Sequence, residues 1–411
     1  MTTTKIAANI KRLFSISIDD SLLSTAHFLS DILQGTALEG EEFALASSVS
    51  TVPHWQRLIL EEVGTKLSTG TPHVDPSSLD LTAKATMHSF DFIDLFAGIG
   101  GFRMALEMQG GRPVFASEWD PTARATYFAN HGDFPFGDIN QFTEESLTDE
   151  QVDRLIPNHD ILAGGFPCQP FSIAGVSARN SRGASHGFKC KTQGTLFFSI
   201  ERIARVKRPK ILLLENVKNL IRHDHGQTFA IIKEAIEDLG YRFFWKLIDS
   251  QTTVPQRRVR CFMVAVREDL VREKGDFQFP CFDGESIPLK TILEESPPPQ
   301  YTLSDKMWQG HQQRTKRNIE RGTGFTALVA DTQKPSNTIV ARYGKDGKEC
   351  LVPQESGNPR YLTVDECKKL FGYPSDFLLP PSKTPSYKLL GNSVVLPVVT
   401  KLSAQIREQY F

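Results

Sequence analysis

The chain is poor in cysteine, and the cysteines it has are not paired. Six of them (168, 190, 261, 281, 350 and 367) are spread over 411 residues with no Cys-x-x-Cys spacing. A disulfide framework or a zinc site needs closer or paired spacing, so neither is expected. His223-Asp224-His225 offers two histidines with no further ligands at metal spacing, and it reads as a polar loop rather than a metal centre. No apolar run is long enough to span a bilayer, and residues 1–15 show no signal-peptide pattern. An excess of charge of one sign is also missing. With 47 basic and 48 acidic residues, the formal net charge is -1. A nucleic-acid surface, if there is one, must therefore come from local clustering. These absences predict a reduced, intracellular, cytoplasmic protein without membrane or metal. Its 40% hydrophobic and 23% charged composition is that of an ordinary globular chain, long enough for two or three domains.

The most informative stretch is Gly164-Gly165-Phe166-Pro167-Cys168-Gln169-Pro170-Phe171-Ser172. It follows Asp160-Ile161-Leu162-Ala163, a short apolar run that predicts a buried parallel strand. Two glycines let the backbone leave the strand sharply, and two prolines stiffen the loop around the single thiol. A lone cysteine is more often a small buried hydrophobe. Held at the carboxyl end of a strand, it instead sits where open α/β sheets bind their ligands.

A second strand-turn-helix unit opens at Phe90-Asp91-Phe92-Ile93-Asp94-Leu95-Phe96 and runs through Ala97-Gly98-Ile99-Gly100-Gly101 into a helix over about 102–108. Such a turn brings a cofactor close to backbone N–H groups. A strand over 113–117 then ends in Glu118-Trp119, about twenty residues after the turn, the spacing at which an acid meets a ribose hydroxyl. A third apolar strand, 210–214, ends in Glu215-Asn216-Val217. A carboxyl group at the end of a buried strand should have a raised pKa and can carry a proton; the alternative is a salt-bridged acid at a domain edge. After a helix over 227–239, Gln256-Arg257-Arg258-Val259-Arg260 places Arg258 and Arg260 on one face of an extended segment before the strand 261–266. Their guanidinium groups suit a base carbonyl or a phosphate, with surface ion pairing as the bland alternative.

Taken in order, these segments resemble the motifs of the DNA cytosine-5 methyltransferases of the prokaryotic type. The matches are Asp-Leu-Phe-Ala-Gly-x-Gly-Gly at 94–101, Phe-Pro-Cys-Gln-Pro-Phe-Ser at 166–172, Glu-Asn-Val at 215–217, Gln-x-Arg-x-Arg at 256–260 and Gly-Asn-Ser-Val-Val at 391–395. The wording around them is similar to the group that acts at C-C-N-G-G-type sites. The resemblance covers about 90–270 and 358–405. It implies an α/β, Rossmann-like, S-adenosylmethionine-dependent methyltransferase fold, with a mostly parallel sheet and helices on both faces.

The family's roles carry over position by position. Cys168 is the nucleophile toward C6 of a flipped cytosine. Glu215 acts on N3, and Arg260, helped by Arg258, holds the base carbonyl. Phe96, Gly98 and Gly100 line the methionine end of the cofactor, Glu118 holds its ribose, and Trp119 with Asp138 and Ile139 lies near its adenine. Pro167, Leu196, Asn392, Ser393 and Val394 complete that pocket. Double-stranded DNA is the implied partner. A cognate restriction endonuclease would act on the same sequence without needing to bind, and a monomer is expected.

The remaining chain divides around this frame. Residues 1–88 show helical apolar spacing at 6–13, 21–33 and 55–67, and a Thr/Gly/Pro/Ser-rich linker at 68–78. They are expected to form a helical extension that packs on the main domain, or else a DNA-binding or dimerising module, although no basic recognition helix is evident. The catalytic domain takes 89–270, a target-recognition domain 271–358, and a returning segment 359–411. Between 171 and 198 lies a long polar loop, which the family uses to close on DNA.

In 271–358, His311 to Arg321 carries Arg314, Lys316, Arg317 and Arg321 against one acid, and residues 338–343 are expected to form a strand followed by a turn at 344–347. Gln256, Arg314, Lys316, Arg317, Thr338 and Arg342 are the expected DNA contacts. Thr363 and Glu366 form a capping-box pattern for a following helix. Two rival functions stay open: an RNA cytosine-5 methyltransferase of the same fold, and a protein that also regulates transcription through residues 1–88.

Overall fold

The computed structural model describes residues 88–131, 135–167, 196–322, 326–347 and 350–411. The expected helices of 1–87, Cys168 and the polar loop up to residue 195 lie outside the described residues.

Six strands form one sheet: β1 (Phe90–Leu95), β2 (Gly111–Ser117), β3 (Ile161–Gly165), β4 (Ile211–Val217), β5 (Tyr241–Asp249) and β6 (Val259–Arg267), in the order β2-β1-β3-β4-β6-β5. Pairing is parallel from β2 through β1 and β3 to β4, and antiparallel where β6 joins β4 and β5 joins β6. The central strands are apolar on both faces because both faces are covered. Successive residues serve opposite sides: Phe90, Phe92, Ile161, Ala163, Ile211 and Leu213 join one buried cluster, while Ile93, Leu95, Leu162, Leu212 and Leu214 join the other. Each large side chain fully buried this way contributes about 1.5–3 kcal/mol.

The helices, in chain order, are α1 (Gly101–Glu107), α2 (Pro121–His131), α3 (Asn140–Thr143), α4 (Asp149–Leu155), α5 (Leu196–Lys207), α6 (Gln227–Asp238), α7 (Glu268–Lys274), α8 (Asp305–Glu320), α9 (Tyr343–Asp346), α10 (Val364–Leu370), α11 (Lys383–Asn392) and α12 (Leu396–Tyr410). α4, α5 and α6 contribute to the second cluster, and α1, α10, α11 and α12 to the first. The expected cap is present on α10: Thr363 Oγ1 accepts from Glu366 N, and the Glu366 carboxylate accepts from Thr363 N. The span Lys383–Tyr410 is apolar enough by length and composition to cross a membrane, yet its most apolar window is 61% buried, and residues 393–395 break it into α11 and α12.

Residues 271–358 differ in kind. Phe277, Leu289, Tyr301, Ala330, Ile339, Tyr343, Cys350 and Val352 are buried, but in the same cluster as the sheet residues. The expected strand at 338–343 does not form. Residues 337–340 run as irregular backbone, and the expected turn at 344–347 is mostly α9. The run of β-branched residues Thr338, Ile339 and Val340 has strand-like composition, but the backbone groups of Ile339 are taken by the Gln256 and Arg258 side chains, and the Val340 carbonyl accepts from Tyr343 N in a turn.

Candidate active site

The strand order reverses direction between β1 and β3, and the crevice at the carboxyl ends of those strands is where open α/β sheets place their ligands. β1 runs into Phe96, whose φ is 56°, and on through Gly98 (φ 55°) and Gly100 (φ 87°). A left-handed phenylalanine is uncommon and costs of order 1–3 kcal/mol, and such outliers gather at functional sites. At Gly100 a side chain is excluded twice over, by φ and by space, because a Cβ would lie 2.2 Å from Nε2 of His131. That ring contacts the Ile99 carbonyl at 3.2 Å, and burial, aided by nearby Arg103, pushes its pKa down to about 3. It is a neutral prop under the glycine turn.

Glu118 is 8% exposed and its carboxylate accepts from Gly98 N at 2.8 Å and Asp120 N at 2.7 Å. Burial raises its pKa, and those backbone N–H groups pull the other way. A carboxylate has about four lone-pair positions, so two remain for a ligand. Trp119 beside it is 76% exposed. Asp138 is exposed and accepts from Asn140 N, while Ile139 is buried next to it at the start of α3. Ser393, on the break before α12, shares a 2.5 Å hydrogen bond with the Tyr373 hydroxyl; Val394 is buried and Asn392 is exposed.

One residue here had no role in the sequence reading. Asp94, at the end of β1, is fully buried, and neither of its oxygens meets hydrogen-bond geometry. Burial drives its pKa well above the carboxylate range, only partly offset by the Arg103 N–H and the Arg103 charge. An acidic residue next to the buried, apolar end of the strand was the signal that could have found it.

The second half of the site lies on β3 and β4. Their parallel register sets Gly165 opposite Glu215, and a Cβ on Gly165 would lie 3.3 Å from the Glu215 carboxylate. Phe166 and then exposed Pro167 carry the chain out of β3 toward Cys168. Asn216, also without an assigned role in the sequence reading, is 1% exposed and donates its amide to the Phe166 carbonyl at 2.8 Å. The end of the segment leaving β3 is thus pinned to the strand bearing the acid. Glu215 Oε1 lies 3.1 Å from Nε of Arg260 on β6. Burial raises the Glu215 pKa, with Arg260 and then Arg258 opposing. Leu196 is the half-buried first residue of α5.

Two expected ligand contacts turn out to be internal. Gln256 is 0% exposed: its amide donates to the Leu370 carbonyl and accepts from Ile339 N. It has no surface to offer DNA. Arg258 is 4% exposed and donates to the carbonyls of Ile339, Gly391 and Ser393, with its guanidinium 5.0 Å from the centre of the Phe371 ring. Burial, with Arg260 nearby, pushes its pKa down to about 9, so it stays charged at neutral pH. The structure gives it backbone carbonyls to hold in place of a base. Thr338 spends its hydroxyl on the Arg257 carbonyl. Arg314, Lys316 and Arg317 lie exposed on α8, a helix with no buried residue, and exposed Arg342 stands immediately before α9.

Comparison with known proteins identifies the family to which this site belongs. The chain matches the C-5 cytosine-specific DNA methylase family over residues 90–408, and it belongs to that family. It is accordingly an S-adenosylmethionine-dependent DNA (cytosine-5) methyltransferase. It is similar to the Type II methyltransferase M.SsoII of Shigella sonnei, 41% identical over 89% of this chain and 93% of the relative. It also resembles the Type II methyltransferase M1.ScrFI of Lactococcus lactis subsp. cremoris, 42% identical over 82% of each. The Shigella match is longer than residues 90–411 alone and so reaches into the N-terminal extension. Among solved structures, a DNMT2 mutant from Spodoptera frugiperda shares the fold, with TM-score 0.58 and 21% identity over 76% of this chain and 98% of that one.

Proposed function

We propose that the protein methylates C5 of one cytosine within a specific duplex sequence, through a covalent bond from Cys168 to C6 of a flipped-out base. The observation that carries this reading is the pinned pair of strands. Glu215, buried with a raised pKa, stands opposite Gly165, three residues before the thiol, and Asn216 ties the two segments together. Carbon 5 of cytosine is a weak nucleophile. Addition of the Cys168 thiolate at C6 makes it an enamine carbon. Glu215 in its protonated form donates to N3, so negative charge does not build on the ring, and Arg260 orients that carboxyl group. Carbon 5 would then take the methyl group supplied by the bound cofactor, whose bond from sulfur to that methyl breaks, and loss of the C5 proton with expulsion of the thiolate would restore the aromatic base. The target atom is stacked in duplex DNA, so the nucleotide must leave the helix.

The pocket residues fit S-adenosylmethionine, which supplies the methyl group. Glu118 keeps two acceptor positions for ribose hydroxyls, and the exposed Trp119 ring suits a flat base. The uncompensated carboxyl group of Asp94 suits the cationic methionine end. Phe96, Gly98, Gly100, Asp138, Ile139, Pro167, Leu196, Asn392, Ser393 and Val394 form the rest of the lining in this reading. Residues 271–358 read the sequence, with Arg314, Lys316 and Arg317 on phosphate and Arg342 on a base. Modification within a restriction-modification system, in a prokaryotic cytoplasm and by a monomer, is the biological role we favour. The relatives named Type II methyltransferases support it, and motif wording supports a C-C-N-G-G-type site.

Cys168→Ser tests the proposal. Methylation should fall by about four orders of magnitude or more, as when a nucleophile is removed, with DNA and cofactor binding retained. A 5-fluorocytosine duplex should trap the wild-type enzyme covalently at Cys168. Substantial turnover by the serine variant would defeat the mechanism.

A further inference from the structure

The six residues 255–260 touch three separate parts of the molecule. On one side they hold 336–339 by its backbone. Ser336 N donates to the Pro255 carbonyl, Arg257 N donates to the Ser336 carbonyl, and the Thr338 hydroxyl donates to the Arg257 carbonyl. Ile339 is captured at both polar groups: its N–H donates to Gln256 Oε1 at 2.9 Å, and its carbonyl accepts from Arg258 Nη1 at 3.0 Å. On a second side they hold the returning chain. Gln256 donates to the Leu370 carbonyl at 3.1 Å, and Arg258 Nη2 donates to the carbonyls of Gly391 and Ser393, each at 2.9 Å. Those two partners meet each other as well: a Cβ on Gly391 would lie 2.3 Å from Ala341 N and 2.4 Å from the Val340 carbonyl carbon. On the third side, two residues along, Arg260 contacts Glu215.

A buried guanidinium costs desolvation that an apolar side chain of similar size would not. A brace whose only task was to fill space could be apolar. This one is charged and forked: one arm goes to Ile339 and the other to the 391–393 turn.

We propose that Gln256 and Arg258 are positioning residues that align residues 336–341 and the 391–393 turn with the Arg260–Glu215 pair, so that correct seating of the 271–358 segment on DNA raises the rate of methyl transfer itself. This rests on the reading of 271–358 as the part that recognises sequence. In consequence the loss of the clamp should be read in selectivity, as a rate ratio between right and wrong sites, and not only in overall activity.

The experiment uses the full-length enzyme and a duplex carrying the site mapped by bisulfite sequencing of DNA methylated by the wild type, against the same duplex with one base pair of that site changed. Arg258→Lys keeps the charge but not the fork; Thr338→Val, at a half-exposed position, removes one bond and is the variant least apt to disturb folding; Arg258→Ala removes the clamp. The kcat ratio between the two duplexes should fall about fivefold or more in Arg258→Lys, within the range of coupling between sites. It should fall less in Thr338→Val, and KM for S-adenosylmethionine should move less than the ratio. An unchanged ratio in every variant that retains the wild-type circular dichroism spectrum, Thr338→Val included, overturns the proposal, because a purely structural loss slows both duplexes alike. A wild-type enzyme with no preference between duplexes would overturn it too, by removing the recognition reading beneath it.

Discussion

The sheet and the 271–358 segment are held in place differently. In the sheet, strand pairs from β2 to β5 carry a continuous ladder, and alternate side chains fill two buried clusters. In 271–358 the described residues form no strand of that sheet. They contribute buried side chains to one of its clusters and fasten their backbone to Gln256 and Arg258. The first arrangement fixes reacting groups at the spacing of neighbouring strands. The second lets a segment of irregular backbone be seated firmly without a core of its own, and leaves α8 free of burial. Chemistry should accordingly reside in the sheet, and recognition in the fastened segment.

The sharpest way to break that division is at Glu215. Glu215→Gln keeps a hydrogen-bonding group beside Arg260 but removes the transferable proton. The single-turnover methylation rate should fall about 10²–10⁴-fold, the contribution of a general acid, with DNA affinity nearly unchanged. The pH profile adds a sign. In the proposed mechanism the working form is protonated, so wild-type activity should be present below the raised pKa of Glu215 and be lost as pH rises through it, whereas the residual rate of the glutamine variant should lack that limb. A matching loss of DNA binding would place Glu215 on the recognition side of the comparison.

A smaller effect is expected at Glu118. Glu118→Ala should weaken S-adenosylmethionine binding by about 1.5–3 kcal/mol, the value of a hydrogen bond to a charged group, as read by calorimetry. DNA binding without cofactor should hardly move. Equal losses would mean that the Gly98 turn, which Glu118 also braces, had collapsed.

The smallest effect belongs to α8. Lys316→Ala should weaken binding to all sequences alike and make the salt dependence shallower by about one unit of slope, whereas Arg342→Ala should relax preference at one base pair by about 1–3 kcal/mol. If Lys316→Ala altered the mapped site and Arg342→Ala did not, the assignment of phosphate and base contacts within the segment would be reversed.

The same contrast explains what could be read from sequence. Apolar runs and glycine punctuation located the starts of β1, β3 and β4 to within a residue, because a strand buried on both faces has few alternatives, whereas β3 and β4 run two to three residues past their apolar stretches. The capping box of α10 was equally legible, since its partners are three residues apart. Thr338 to Tyr343 misled because β-branched composition signals a strand only when a neighbouring strand is there to pair with, and here the pairing groups are side chains about eighty residues away. Gln256 and Arg258 were recognisable as important but not as internal. A residue type shows what a side chain can bond, while its partner is chosen by tertiary packing. Asp94 and Asn216 lay inside motifs already singled out, yet one is distinguished by burial without a full hydrogen bond and the other by holding the Phe166 carbonyl, and neither property has a local pattern.

The stretch 256–260 also works as a ruler. Its odd members alternate away from Gln256, Arg258 and Arg260, so the three working side chains sit at equal steps of two residues. A single residue inserted between 256 and 260 would turn one end of that row to the opposite side, parting Ile339 from Glu215 however well the rest of the chain folded. Insertions in the exposed connections of 271–358, away from 336–341 and from its buried residues, merely lengthen the chain and carry no such penalty. Natural variation in length should therefore accumulate in that segment and stop short of these five positions, and an engineer exchanging recognition segments has a fixed joint to preserve at 336–339.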